Sequence, residues 1–191
     1  MTASTITPLE QVALNEVQKY MPNKTELAMI MAQMCVESAS FKHMTEIGYK
    51  PARAYEVFPK YFKSLAEAEL IYANGGSDAI FDRVYGGRMG NTDPKDGSKY
   101  KGRGPISITG KYNYAKASDA TGIDYLNKPE LMADITSSMP AAVAFWNSHN
   151  IGPLARAGKV REVTKKINGG FNGLTEREQQ FKRWKKICGV T

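Results

Sequence analysis

The stretch LAMIMAQMCVES, residues 27–38, decides the fold because it has the composition of a buried helix. Apolar side chains fill almost every position from Leu27 to Val36. Asn23, with Glu26 three positions later, supplies a helix N-cap just before this stretch. The pattern therefore predicts a core helix that begins after Asn23 and carries Glu37 close to its end.

Glu37 is the one acidic residue within this apolar stretch. On a helix that turns about 100° per residue, Glu37 lies roughly 20° from Ile30, and Met34 lies about one turn before it. The carboxyl group therefore projects from the core-facing side. Burial raises the pKa of a carboxyl group, and a protonated carboxyl near neutral pH suits a general acid. The structural alternative is that Glu37 marks a helix edge or pairs with a buried arginine.

A second carboxylate, Glu46, follows nine residues after Glu37. It lies beyond the expected end of the helix, so its surroundings should differ from those of Glu37. Two carboxylates in different environments are typical of acid/base catalysis, and glycoside hydrolysis is the leading example.

Composition indicates one globular domain over residues 1–191, with 42% hydrophobic and 24% charged residues. Residues 1–4 lack a basic region followed by an apolar one, so we expect no signal peptide and synthesis in the cytoplasm. The two cysteines, Cys35 and Cys188, do not form a disulfide framework. The sequence contains no HExxH or CxxC spacing, and it predicts neither a metal site nor a cofactor.

The net charge of +7 and the pI near 9.3 favour a polyanionic partner. Nucleic acid, an anionic membrane and an anionic cell wall all fit, although the chain has no recognised nucleic-acid motif. The basic segment FKRWKKI, residues 181–187, is amphipathic. It predicts either a solvated helix with Phe181, Trp184 and Ile187 packed inward, or a contact with an anionic outer membrane.

The remaining patterns predict a mainly α protein with a small β element around a substrate cleft. The alternating segment 105–110 indicates a short strand, and the Gly-rich segment 90–104 a long loop. Trp146 lies in an apolar helix, so we expect it to pack in the core. The predicted helices are 8–20, 24–37, 64–74, 77–85, 111–120, 137–148, 160–167 and 175–187.

Three segments together resemble glycoside hydrolase family 19, in its small phage endolysin branch. The first is AQMCVESASF, residues 32–41, followed by Glu46. The second is YKGRGPISITGKYNY, residues 100–114, and the third is INGG, residues 167–170, followed by Arg177. The resemblance implies a lysozyme-like α+β fold.

The resemblance also implies roles for individual residues. Glu37 would be the general acid, Glu46 the general base that activates water, and Thr109 a hydroxyl that positions this water. Without the resemblance, Thr109 would be interpreted as a strand residue, Tyr100 equally as packing, and Asn168 as part of a helix C-terminal turn. The resemblance and the residue chemistry give the implied substrate-binding residues as Tyr100, Arg103, Ser107, Asn113, Asn168 and Arg177.

Several details qualify this assignment. Arg103 and Arg177 are expected to hold Glu46 or its surroundings charged. The family usually has a histidine where this chain has Val36, and a glutamine where it has Ser107. The Ser107 position contacts sugar in the family, so the substrate contacts are expected to differ there.

The resulting expectation is a phage-type endolysin, a muramidase that cuts peptidoglycan between N-acetylmuramic acid and N-acetylglucosamine. Its expected partner is the glycan strand, reached from a bacterial cytoplasm through a holin-type membrane lesion, with the enzyme acting as a monomer. The alternatives are a chitinase of the same family, a lytic transglycosylase, and a non-catalytic basic wall- or membrane-binding protein.

Overall fold

The computed structural model describes residues 5–190. Over this range the chain forms ten α-helices and two short 3₁₀ turns. The helices in chain order are α1 (Pro8–Val17), α2 (Lys24–Glu37), α3 (Pro51–Val57), α4 (Leu65–Tyr85), α5 (Asp96–Lys99), α6 (Lys111–Thr121), α7 (Ile135–Ser148), α8 (Gly152–Arg156), α9 (Val160–Asn168) and α10 (Leu174–Ile187). The expected absence of a signal peptide concerned residues 1–4, which lie outside the described residues.

Helix α2 is the centre of the main core. Asn23 caps it by accepting a hydrogen bond from the Glu26 backbone, and every residue from Glu26 to Cys35 is buried. The long face of α10 packs along α2, and helices α1, α8 and α9 also contact it. The predicted core helix is thereby confirmed, and Glu37 is its last residue, as predicted.

Aromatic residues of α7 and α10 complete this core. Trp146 is buried and donates a hydrogen bond from its indole nitrogen to Glu26, so its predicted packing role is confirmed. Phe181 and Trp184 face α2 and are buried, whereas Lys182 and Lys186 are exposed. This arrangement matches the solvated-helix interpretation of α10.

A second, smaller hydrophobic cluster holds together residues 49–85, which we call the small lobe. Its buried members include Ala54, Phe62 and Ile80. Helix α4 runs through this lobe and is broken at Gly75 and Gly76, where Gly76 has φ +62°. The sequence predicted two helices separated by this Gly-Gly pair, and glycine fits because it has no Cβ to oppose positive φ.

The strand predicted at residues 105–110 is wrong. The segment forms a tight turn in which Ser107 has φ +55°, a value that a regular strand does not contain. In the described part of the chain, β structure is reduced to isolated bridges between Arg103 and both Thr45 and Ile108. The predicted loop at residues 90–104 also contains the short helix α5. The fold class, mainly α with a minimal β element, is nevertheless confirmed.

Two further findings concern the described residues alone. Cys35 and Cys188 are both free, and burial raises the pKa of the Cys35 thiol to about 12. Across residues 5–190, no helix has the length and apolar character needed to cross a bilayer.

Buried ion pairs join the first helices to distant parts of the chain. Glu10 of α1 has a side chain that is only 2% exposed, and Arg183 of α10 donates to both of its oxygens. Burial by itself would raise the Glu10 pKa. The hydrogen bonds from Arg183 and from the Thr7 backbone outweigh it, and the pKa falls from its usual 4.5 to about 2.

We predict that Arg183→Ala lowers the free energy of unfolding by about 3 kcal/mol at pH 7, because it leaves a buried carboxylate unpaired. The ion pair stabilises the wild type fully above pH 4.5, and this contribution is lost as the pH falls from 4.5 towards 2. Urea unfolding across this pH range should therefore show the two proteins converging. The exposed neighbour Lys182→Ala is the control, and a pH-independent gap between wild type and Arg183→Ala would contradict the explanation.

Candidate active site

A cavity of about 450 Å³ lies between the end of α2 and the small lobe, and both predicted carboxylates line it. We call it the carboxylate cavity. Its lining residues are Glu37, His43, Thr45, Glu46, Ile47, Gly48, Tyr49, Arg53, Gly102, Gly104 and Ser107. The structure thus brings Glu37, Glu46 and Ser107 together in one cavity, and their catalytic and binding roles stay predictions.

Arg177 holds Glu37 in place. The side chain of Arg177 is 2% exposed, and its Nη2 donates to Glu37 Oε1 over 2.6 Å. The Nη1 atom of Arg177 donates to Gln33 Oε1, also over 2.6 Å, so the guanidinium joins α10 to two turns of α2. Arg177 was expected to hold Glu46 or its surroundings charged, and its carboxylate partner is Glu37, which lines the same cavity as Glu46. Glu37 therefore also shows the pairing with a buried arginine that was its structural alternative.

The chain reverses sharply after Glu37. Ala39, Ser40 and Phe41 have consecutive φ values of +49°, +56° and +67°, which is unusual for residues other than glycine. The Ser38 hydroxyl donates to the Met34 carbonyl and accepts from the Phe41 backbone, which stabilises the turn. This local geometry sends the chain back towards the cavity, where it presents Glu46.

Glu46 is held by three donors from two other segments. Tyr85 at the end of α4 donates to Glu46 Oε1 over 2.8 Å, and Tyr49 donates to the same oxygen over 3.3 Å. The Gly102 backbone donates to Oε2 over 3.1 Å. Burial, followed by the adjacent Glu46 charge, raises the pKa of both tyrosines above the usual 10, so both hydroxyls remain donors at neutral pH.

Sequence reasoning missed Tyr49 and Tyr85 as site residues, and it also missed His43 and Arg53 in the cavity wall. Tyr49 follows Glu46 by three positions, which is a usable local signal. Tyr85 is 39 residues away along the chain, and only the folding of the small lobe brings it to Glu46.

Two hydroxyl groups converge beside Glu46 Oε2. A Cβ atom placed on Gly102 would lie 2.5 Å from Ser107 Oγ, 3.2 Å from Thr109 Oγ1 and 3.1 Å from Glu46 Oε2. These three oxygens therefore surround one small volume against the backbone of Gly102. The Thr109 hydroxyl also donates to the Ser107 carbonyl over 3.0 Å. Glycine at position 102 therefore leaves room for these oxygens, since a side chain there would displace them.

Other predicted binding residues lie elsewhere. Tyr100 is 1% exposed and donates to the Leu126 carbonyl, so it packs in the core and does not line the carboxylate cavity. Arg103 donates to the Lys99 carbonyl and to the Tyr114 hydroxyl, and among the described residues it forms no ion pair with Glu46. Its expected effect on the charge of Glu46 or its surroundings stays a prediction.

The two predicted amide side chains also lie outside the lining of the carboxylate cavity. Asn113 donates to the Thr109 carbonyl over 2.8 Å and faces a different cavity. Asn168 ends α9, and its Oδ1 is buried without a donor among the described residues. Their roles in binding substrate stay predictions. No group of His, Cys, Asp and Glu with metal-binding geometry occurs within residues 5–190.

Known proteins similar to this chain identify its family. The family model for class I chitinases, glycoside hydrolase family 19, matches residues 81–160. A Haemophilus influenzae protein described as a glycosyl hydrolase family 19 domain-containing protein is 37% identical over 158 residues, 81% of this chain and 76% of that protein. The chain belongs to glycoside hydrolase family 19.

Plant relatives are longer than the matched region. An Arabidopsis thaliana endochitinase is 40% identical over 155 residues, which is 72% of this chain and 54% of that protein. An acidic endochitinase of Beta vulgaris is 38% identical over 97 residues, 48% of this chain and 33% of that protein. The match thus spans only about a third to a half of these two curated plant relatives.

Solved structures share the fold at low sequence identity. A bacterial family 19 chitinase superposes with a TM-score of 0.62 at 20% identity, covering 98% of this chain and 96% of that one. A class IV chitinase from Zea mays gives 0.58 at 20% identity, covering 96% and 81%. These likenesses confirm the predicted lysozyme-like architecture. Membership of family 19, shown by the Haemophilus influenzae relative, makes the chain a glycosidase.

We predict that Tyr85→Phe lowers kcat at least about tenfold and changes KM little, because it removes a hydrogen bond to a charged group that is worth about 1.5–3 kcal/mol. Steady-state kinetics on whichever polymer the wild type cleaves measures the effect. Tyr72→Phe is the matched control, since its hydroxyl in the same lobe contacts only Lys50 at the surface. Equal kcat values for the wild type and Tyr85→Phe would show that Tyr85 does not orient Glu46.

Proposed function

We propose that this family 19 glycosidase is a phage-type endolysin, a muramidase that hydrolyses the β-1,4 bond between N-acetylmuramic acid and N-acetylglucosamine. The observation that carries the hydrolytic mechanism is the placement of Glu37 and Glu46 on one cavity with unlike partners. An arginine holds Glu37, while two tyrosines and a backbone amide hold Glu46. Unlike surroundings suit two carboxyl groups with different catalytic tasks.

In the proposed mechanism Glu37 is the general acid that protonates the glycosidic oxygen. Its Oε1 is occupied by Arg177, and Oε2 receives no hydrogen bond from the described residues, so Oε2 is the oxygen that faces the leaving group. Glu46 is the general base and removes a proton from the attacking water. The proposed reaction inverts configuration, so the two carboxyl groups would work from opposite faces of the sugar, and inverting glycosidases place such groups about 6.5–9.5 Å apart.

The hydroxyl groups beside Glu46 support its role as the base. Thr109 Oγ1 and Ser107 Oγ lie next to Glu46 Oε2, the oxygen that the tyrosines leave free. A water held by these groups would be aligned for attack on the anomeric carbon, which lowers the entropic part of the barrier. Tyr85 and Tyr49 fix the other oxygen and so orient the carboxylate.

The net charge supports peptidoglycan over chitin as the substrate. Peptidoglycan carries carboxylates on its muramic acid and on its peptides, whereas chitin is uncharged. A protein with a net charge of +7 concentrates on an anionic polymer and associates with it faster. The replacement of the family glutamine by Ser107 also changes the sugar-facing wall of the cavity.

A chitinase is the second candidate, because the plant relatives are described as endochitinases. Both polymers present acetamido sugars in β-1,4 linkage, so the same two carboxyl groups serve either reaction. The two substrates differ in charge. Activity on chitin should therefore depend on ionic strength much less than activity on peptidoglycan.

The cellular setting belongs to the same proposal. The enzyme would be made in the cytoplasm of an infected bacterium and would reach the wall through a holin-type lesion, acting as a monomer on the glycan strand. Contact of α10 with an anionic outer membrane would rest on charge alone, since Lys182 and Lys186 are exposed while Phe181 and Trp184 are buried. A non-catalytic wall-binding protein would share that charge but would not require two carboxylates.

The test is digestion of purified Gram-negative peptidoglycan, followed by borohydride reduction and mass spectrometry of the products. We expect muramitol-ended fragments from the wild type and a loss of at least about 100-fold in Glu37→Gln and in Glu46→Gln, because each removes a general acid or base. Glu16→Gln is the control, since that glutamate pairs with Lys19 on the surface of α1.

Other products would overturn the proposal in distinct ways. Anhydro-ended fragments would indicate a lytic transglycosylase, which needs only one acid. Intact peptidoglycan together with cleaved chitin oligomers would establish the chitinase. Killing of bacteria by externally added Glu37→Gln as efficiently as by the wild type would favour a non-catalytic membrane effect.

A further inference from the structure

A second cavity, of about 430 Å³, lies between α6 and α7 and plays no part in the mechanism above. We call it the helix cavity. Alanine residues of the two helices face each other across it, with Ala117 on α6 opposite Ala141 and Ala144 on α7. Small side chains on facing helices leave space that larger residues would fill. The cavity is therefore a consequence of the local composition of both helices.

The wall of the helix cavity is mostly apolar in area, and its polar groups are the side chains of Asn113, Lys116, Ser148 and His149 and the Tyr112 hydroxyl. Phe145 and Tyr112 provide aromatic surface, and Tyr112 is 56% exposed at the cavity mouth. Ligand sites in proteins typically combine such an apolar wall with a small number of polar groups that fix orientation. The chemistry of these polar groups then indicates what the cavity accepts.

Lys116 supplies the charge at this cavity. Its ammonium lies 4.5 Å from the centroid of the Tyr112 ring, which holds it beside the opening. No acidic residue is found among the described residues that line the cavity, and none of the ion pairs among the described residues includes Lys116. A cation without an acidic partner beside an apolar wall suits a ligand that has small apolar groups and a free carboxylate.

The helix cavity and the carboxylate cavity share one segment of chain. Ser107 lines the carboxylate cavity, and the next residue, Ile108, lines the helix cavity. Asn113 also lines the helix cavity and donates to the carbonyl of Thr109, the residue beside Glu46. A ligand in the helix cavity would therefore contact the segment that carries Ser107 and Thr109.

We propose that the helix cavity binds the carboxylate-bearing peptide stem of the polymer that is cut in the carboxylate cavity. This inference rests on the proposed muramidase function, because only peptidoglycan carries such peptides on its glycan strand. Stem peptides contain alanine methyl groups that match the alanine-lined wall, and free carboxylates that pair with Lys116. The chain would thus recognise the glycan in the carboxylate cavity and its peptide in the helix cavity, and the two cavities share the segment 107–108.

Binding is tested first, with the isolated stem tetrapeptide L-Ala-γ-D-Glu-diaminopimelate-D-Ala as the probe and without any sugar. Calorimetric titration of the wild type should show saturable binding. Lys116→Gln should weaken it at least about tenfold, since a charged hydrogen bond is lost, and Lys116→Arg should restore it. Ala144→Trp should abolish binding by filling the cavity, and Lys128→Gln, an exposed lysine outside the cavity, should leave it unchanged.

Kinetics then connects this site to catalysis. The wild type should cleave peptide-bearing strands with a lower KM than strands stripped of peptide by an amidase. Lys116→Gln should raise KM on the peptide-bearing strands to the stripped value, while kcat on stripped strands and the melting temperature stay at the wild-type level. An unchanged KM ratio in Lys116→Gln would overturn the proposal, as would an absence of tetrapeptide binding.

The outcomes separate this inference from the proposed function. If the wild type binds the tetrapeptide in a Lys116-dependent manner but cleaves neither peptide-bearing nor stripped strands, the muramidase proposal fails and the peptide site stands. If it cleaves peptide-bearing and stripped strands equally and binds no peptide, the muramidase stands and the peptide site fails. Binding of decanoate without binding of the tetrapeptide would assign the cavity to an aliphatic chain and overturn the peptide assignment.

Discussion

The buried guanidinium of Arg177 is the interaction on which the arrangement of the site depends. It bonds to Gln33 and Glu37 on α2 and to the Asn172 carbonyl that precedes its own helix. A buried arginine with an unpaired donor is costly, so these acceptors fix how α10 lies on α2. The same contacts set the direction of the Glu37 carboxylate. A change in the packing of α10 on α2 would therefore also change the geometry of the site.

Three glutamates of the first two helices show why sequence alone could not assign the acid. Glu10, Glu26 and Glu37 each lie largely within the protein, and each pairs with an arginine from the C-terminal half, namely Arg183, Arg156 and Arg177 respectively. A periodicity argument cannot separate them, because all three project from packed helices. What distinguishes Glu37 is its position at the end of α2, where the helix surface opens on a cavity.

Local signals predicted seven of the ten helices in the described part of the chain and missed the short helices α3, α5 and α8. Long-range contacts escaped them as well. Each of these signals acts within four residues of sequence: the Thr7 cap, the Ser64 cap and the Gly75-Gly76 break. A short window of sequence is therefore enough to predict them. The strand was wrongly predicted around Ser107 because alternation of apolar and polar residues also occurs in a turn, which here buries Ile106 and Ile108 and exposes Ser107. Tyr100 was similarly ambiguous, since a tyrosine beside a Gly-rich loop packs inward or faces a cleft equally well by composition.

The two oxygens of Glu46 are held by different parts of the molecule, which matters for any motion of the small lobe relative to the main body. Its backbone and Oε2 are tied to Gly102 in the main body, whereas both donors to Oε1 come from the small lobe. A displacement of that lobe would strip one oxygen of its partners and leave the other anchored. The carboxylate would then rotate and lose its alignment. The reactivity of Glu46 therefore depends on the small lobe being packed against the main body.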